Sequence, residues 1–186
     1  MAKWFTIGMV VMLVSVLVFA ACAPTKQKAP RVYLNKTTEV KDLGKDDVLA
    51  MMDQHQINSS FVAIRGLRLG DVDETVIARL GRPVSYESFE EGSLNLRYEN
   101  KVTNETQLII HLENGTVRRM VVDPGFDGLV GRSRMNYSKA DATRSFGKPD
   151  RVYDTKFYHI YEYHNLGLEI YFKAGNMGGY GFVPPS

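Results

Sequence analysis

Asp71-Val-Asp-Glu-Thr-Val-Ile-Ala-Arg-Leu-Gly81-Arg-Pro83 returns later in the chain as Ser138-Lys-Ala-Asp-Ala-Thr-Arg-Ser-Phe-Gly147-Lys-Pro149. That recurrence decides the reading of the fold. Ile64-Arg-Gly-Leu-Arg-Leu69 precedes the first stretch and Val130-Gly-Arg-Ser-Arg-Met135 the second. Leu96-Arg-Tyr98 and Tyr161-Glu-Tyr163 follow, then Leu108-Ile-Ile-His-Leu112-Glu-Asn-Gly115 and Leu168-Glu-Ile-Tyr-Phe172-Lys-Ala-Gly175. The folded part therefore reads as one unit written twice.

The chemistry of one unit explains the letters. Asp71 and Ser138 suit a helix N-cap, and Glu74 and Asp141 complete a capping-box spacing, Glu74 with the better length. Val72, Val76, Ile77 and Leu80 make a stripe at helical spacing. Gly81 and Gly147 suit a left-handed C-terminal cap, and the proline two residues on stops the helix. Leu94, Leu96 and Tyr98 then alternate with polar neighbours, as do Leu108, Ile110 and Leu112, and Asn114-Gly115 signals a two-residue hairpin. The expectation is an α+β fold of two tandem units. Each is a short helical segment followed by an antiparallel β-meander of about three strands, with the helices packed on one face of the sheet. A further helix is predicted over about 45–55, its apolar side formed by Leu43, Val48, Leu49 and Met52.

The start of the chain is read separately. Lys3, the apolar run Trp4–Ala21 and the small Ala20-Ala21 before Cys22 have the layout of a bacterial secretory signal. A cysteine at the cut resembles the lipobox of bacterial lipoproteins, in which the thiol is lipidated and becomes the new N-terminus. Phe19 stands where that pattern usually has Leu. The competing reading is an uncleaved membrane anchor, since the run is nearly long enough to span a bilayer. Residues 22–41, with Pro24 and Pro30 and no periodicity, read as a tether that reaches about 60 Å when extended. The divisions expected are 1–21 signal, 22–41 lipidated Cys22 and tether, 42–58 N-terminal helix, 59–123 first repeat and 124–186 second repeat.

The helix ending in Leu-Gly-x-Pro, the Leu-x-Tyr strand and the Leu-x-Ile-x-Phe-x-x-Gly hairpin together resemble the BamE (SmpA/OmlA) lipoprotein family. They are also similar to the β-lactamase inhibitor proteins, which carry two such units. The resemblance runs over about 60–183 and implies the fold just given and a place in the cell envelope. It implies no matched functional residues.

Composition narrows the function. Without Lys3 the chain keeps 22 basic against 21 acidic side chains, a net charge of +1. That is no footprint for nucleic acid. Cys22 is the sole cysteine, so its lipidation would leave no thiol for disulfides, metal or catalysis. On a strand, His159 and His164 point to opposite faces and cannot share a metal. Asp71-Val-Asp-Glu74 lacks the rest of a calcium loop, Gly178-Gly179-Tyr180-Gly181 falls on a strand, and no nucleotide or hydrolase motif occurs. No cofactor, metal or catalytic residue is expected.

The outer sheet face carries the functional expectation. If Leu108, Ile110 and Leu112 face the helices, Ile109 and His111 face away. The Asn114-Gly115 turn then pairs Leu112 with Val117 and places Arg118 and Met120 outward. The second unit by the same logic exposes Tyr171, Tyr180 and Phe182. Aromatic, Met and Arg side chains together mark a partner-binding surface. One residue disagrees: Arg119 falls on the supposed core face, a sign of a bulge. The chain is thus expected to be a non-enzymatic lipoprotein at the periplasmic side of the outer membrane that binds an envelope protein. Small-molecule or lipid binding on the aromatic face is the alternative.

Overall fold

A computed structural model describes residues 39–123, 125–134 and 136–186. Cys22, the signal and most of the tether lie outside the described residues. Beginning at β1 (Lys41–Asp42), the chain forms α1 (Val48–Asp53), β2 (Val62–Ile64), β3 (Leu67–Arg68) and α2 (Asp73–Leu80). It continues through β4 (Ser85–Ser88), β5 (Ser93–Glu99), β6 (Thr106–Glu113) and β7 (Thr116–Val122). After α3 (Lys139–Phe146) come β8 (Arg151–Asp154), β9 (His159–Tyr163), β10 (Leu168–Lys173) and β11 (Asn176–Phe182). Among the described residues no helix is long and apolar enough to cross a membrane.

This architecture corrects the expected α+β pair of tandem units. The molecule is mostly β: one eight-stranded antiparallel sheet in the order β4-β5-β6-β7-β11-β10-β9-β8, beside a small three-stranded sheet β1-β2-β3. The reason lies at the middle of the large sheet. β7 and β11 pair through Met120 with Phe182, Val121 with Gly181 and Val122 with Tyr180, so no boundary between units survives as a sheet edge. The helices are also too short to form a layer. In α2 only Val76 is fully buried, whereas Val72 and Ile77 are 49% and 37% exposed. The helical stripe read from the sequence therefore reaches the core through Val76, with Leu80 partly buried against it.

The α2 and α3 starts reverse the expected ranking of their caps. Ser138 and Asp141 make the full reciprocal capping box of α3. Asp71 instead accepts from the Arg68 backbone N–H at 2.8 Å, and α2 begins two residues later without a side-chain cap. Its first N–H groups are placed by the β6–β7 turn, where Asp73 donates to the Gly115 carbonyl at 3.0 Å. At their C-termini Gly81 and Gly147 have φ of 78° and 88° but ψ of −166° at both. That is the extended positive-φ region open essentially to glycine alone, not the left-handed cap expected.

Register decides what each face carries. The Asn114-Gly115 turn has positive φ at both residues, as a tight hairpin requires, and Leu112 does pair with Val117. The next pair is His111 with Arg119, so Arg118 is an extra, unpaired residue. β11 repeats the device: Phe172 pairs with Met177 and Tyr171 with Gly179, leaving Gly178 over. Each bulge shifts the alternation by one, and a one-residue slip exchanges the faces. Met120, Tyr180 and Phe182, expected on the outer face, are accordingly fully buried core residues. They join Leu96, Leu108, Ile110, Leu112, Leu168, Ile170 and Phe172, with Val48, Leu49 and Met52 of α1, in one apolar cluster. Burying each such side chain is worth roughly 1.5–3 kcal/mol. The Tyr180 hydroxyl stays satisfied by donating to the Ser133 carbonyl at 3.1 Å.

Candidate binding site

The same bulges build the opposite face. They turn Arg119 and Val121 outward beside Ile109 and His111, and set the side-chain-free Gly179 and Gly181 opposite Tyr171 and Glu169. A Cβ on Gly181 would meet Glu169 Oε2 and the Tyr171 hydroxyl, each at 3.1 Å. Gly181 therefore makes the room that those two side chains occupy. The result is a cavity of about 570 Å³. Phe89, Glu90 and Glu91 of the β4–β5 loop and Glu113 bound one part of it, Tyr158 of the β8–β9 loop and Tyr171 another, and Ile109, His111, Arg119 and Val121 line it between.

A buried ion pair holds the floor. Glu169 is 2% exposed, and its Oε1 accepts from Arg119 Nη2 at 3.0 Å. Its other oxygen accepts from the Tyr171 hydroxyl. Burial, then the neighbouring Glu169 charge, pushes the Tyr171 phenol well above its ordinary pKa, with the Arg119 cation opposing. Tyr158 stacks edge-on against Tyr171 at 5.9 Å between ring centres. Arg119 keeps 41% of its side chain exposed, and its second terminal nitrogen makes no hydrogen bond with the described residues. His111 Nδ1 lies 2.8 Å from Asn95 Oδ1. Burial and the nearby Arg119 charge hold that imidazole below its usual pKa.

The expected site residues thus divide. Ile109, His111 and Tyr171 line the trough, Arg118 is an exposed bulge residue paired loosely with Glu113 at 3.6 Å, and Met120, Tyr180 and Phe182 are in the core. Cys22 lies outside the described residues. The sequence reading missed Asn95, Arg119, Val121 and Tyr158, and the misplaced Arg119 was the one signal that pointed to them. Among the described residues no group of three or more acidic, His or Cys side chains lies close enough to hold a metal ion.

No family model matches this sequence, and no curated protein matches it. Solved structures similar in shape include the following. A DUF4309 family protein, YjgB, from Bacillus subtilis aligns at 12% identity and a TM-score of 0.49, over 74% of this chain and 93% of that one. An extracellular protein containing an SCP domain from Bacillus anthracis aligns at 13% and 0.46, and a cysteine-rich secretory protein, SAV1118, from Staphylococcus aureus at 11% and 0.43. Each of these two alignments covers 62% of this chain but only 44% of the other. At these scores the likeness supports no argument about what the present chain does.

Proposed function

We propose that this chain is a lipid-anchored, non-enzymatic protein of the cell envelope that binds a partner protein in the outer-face trough of its sheet. Cys22 carries the lipid and the folded part faces the periplasm from the outer membrane, or the cell exterior where the source has a single membrane. The observation that carries the reading is the trough itself. A solvated sheet face is ordinarily polar and flat, whereas this one combines a neutralised Arg119–Glu169 pair, two stacked tyrosines and the aliphatic Ile109 and Val121 in one concavity. The Arg119–Glu169 pair and the Tyr158–Tyr171 contact already exist in the free chain, so a partner need not create them on binding.

A photo-crosslinking amino acid at Ile109, in the full chain in its own membrane, tests this. One discrete crosslinked protein is expected there and none from Val102, which is 90% exposed on the β5–β6 loop. Equal patterns from both positions would remove the trough from consideration. Fatty-acid label persisting in Cys22→Ser would remove the anchor. The alternative, a small molecule or lipid, draws on the volume, which lies within the roughly 300–1,000 Å³ usual for such sites. A compound co-purifying with the chain and lost on Ile109→Arg substitution would favour it.

A further inference from the structure

The geometry points to a basic, apolar-flanked polypeptide segment, extended across the strands, as the occupant of the trough. This rests on the binding reading above and specifies its chemistry. The charged residues that line the cavity are Glu90, Glu91, Glu113 and Arg119. Arg119 is already neutralised by the buried Glu169. Glu113 has only a loose, exposed partner in Arg118, a kind of pair that contributes little. What remains is an acidic end, and beside its carboxylates the Phe89 ring is 66% exposed. Carboxylates next to an open aromatic face attract an ammonium or guanidinium group.

The far end has opposite character. Tyr158 and Tyr171 present an aromatic wall with no carboxylate among the lining residues there, suited to an apolar side chain. Between the ends, the unengaged terminal nitrogen of Arg119 can donate to a carbonyl oxygen without gaining or losing net charge. Length favours a polypeptide over a compact amine. The lining residues come from β5, β6, β7, β11 and β10, five adjacent strands that span about 19 Å at ordinary sheet spacing. About six extended residues cover that distance. A basic side chain at one end and an apolar one several residues away would engage both ends together.

The test pans a random heptapeptide display library on the full chain in detergent micelles, with empty micelles as the control. A consensus that pairs Lys or Arg with an aromatic or large aliphatic residue at least three positions away is expected. The consensus peptide, fluorescently labelled, should bind about tenfold more weakly to the Glu90→Gln/Glu91→Gln variant and should lose most of its salt dependence there. Both glutamates are exposed loop residues, so the variant is expected to fold normally. An acidic consensus, no consensus above empty micelles, or unchanged affinity in the double variant would each overturn the proposal. Crosslinking at Ile109 separates this failure from a broader one. If it still captures a protein, the binding face stands and only its ligand chemistry falls; if it captures none, both fall.

Discussion

Glu169 is a carboxylate with almost no contact with water, and it stays tolerable only because Arg119 and the Tyr171 hydroxyl occupy its oxygens. Arg119→Met should therefore destabilise the protein by about 2 kcal/mol, less than a fully buried pair would lose because Arg119 is partly solvated. Adding Glu169→Leu should restore much of the loss, and urea unfolding of the two variants measures it. The buried phenols make a second residue-scale prediction. Tyr98 is pushed up to about 12, mainly by burial, and burial raises Tyr171 and Tyr180 as well. In the unfolded chain tyrosines ionise near pH 10. Below that pH both states hold these protons and stability is unaffected. Above it only the unfolded state releases them, so stability falls progressively as pH rises through the folded values. Tyrosinate absorbance for Tyr171 and Tyr180 should appear together with loss of the β circular-dichroism signal, not before it.

At the scale of elements, the sequence disclosed what local chemistry alone determines. Alternation marked β5 and β6, the repeat marked β10, and Asn114-Gly115 marked a turn that needs two positive φ values. The stretch Leu43–Met52 marked the apolar side of α1, whose Val48, Leu49 and Met52 are fully buried. Of the two bulges, only the one in β7 left a mark in the sequence, and the one in β11 left none. An extra residue in a strand alters neither composition nor hydrophobicity, and its only trace is a side chain on the wrong face, as Arg119 was. Three of the seven surface residues read from the sequence fell into the core for that reason. Deleting Gly178 tests the account directly. Without the bulge, Tyr180 and Phe182 would swing to the trough face and their core sites would empty. Losing two large aromatics costs about 3–5 kcal/mol each, enough to abolish folding. The expected outcome is insoluble protein, whereas Gly178 replaced by Ala, against a Tyr158 ring atom at 3.1 Å, should remain soluble. Deletion with no loss of stability would mean the alternation is not set there.

At the scale of the whole molecule, the repeated letters gave the strands but could not say which edges would meet. Pairing between β7 and β11 joins segments far apart in the chain, and no local pattern encodes it. A fragment ending at residue 123 would leave β7 as an open edge beside exposed Met120 and Val122. Such a fragment should aggregate when expressed alone, which sedimentation would reveal, because an unpaired apolar edge recruits other chains. The seam has a mechanical side too. Its ladder of Tyr180 with Val122, Gly181 with Val121 and Phe182 with Met120 is shorter than the β6–β7 and β10–β11 ladders on either side. Tension drawn between the β4 and β8 margins would reach those few bonds as the weakest line in the fabric. The trough lies across that line, so whatever fills it acts as a suture, and a loaded molecule should tear at a higher force than an empty one.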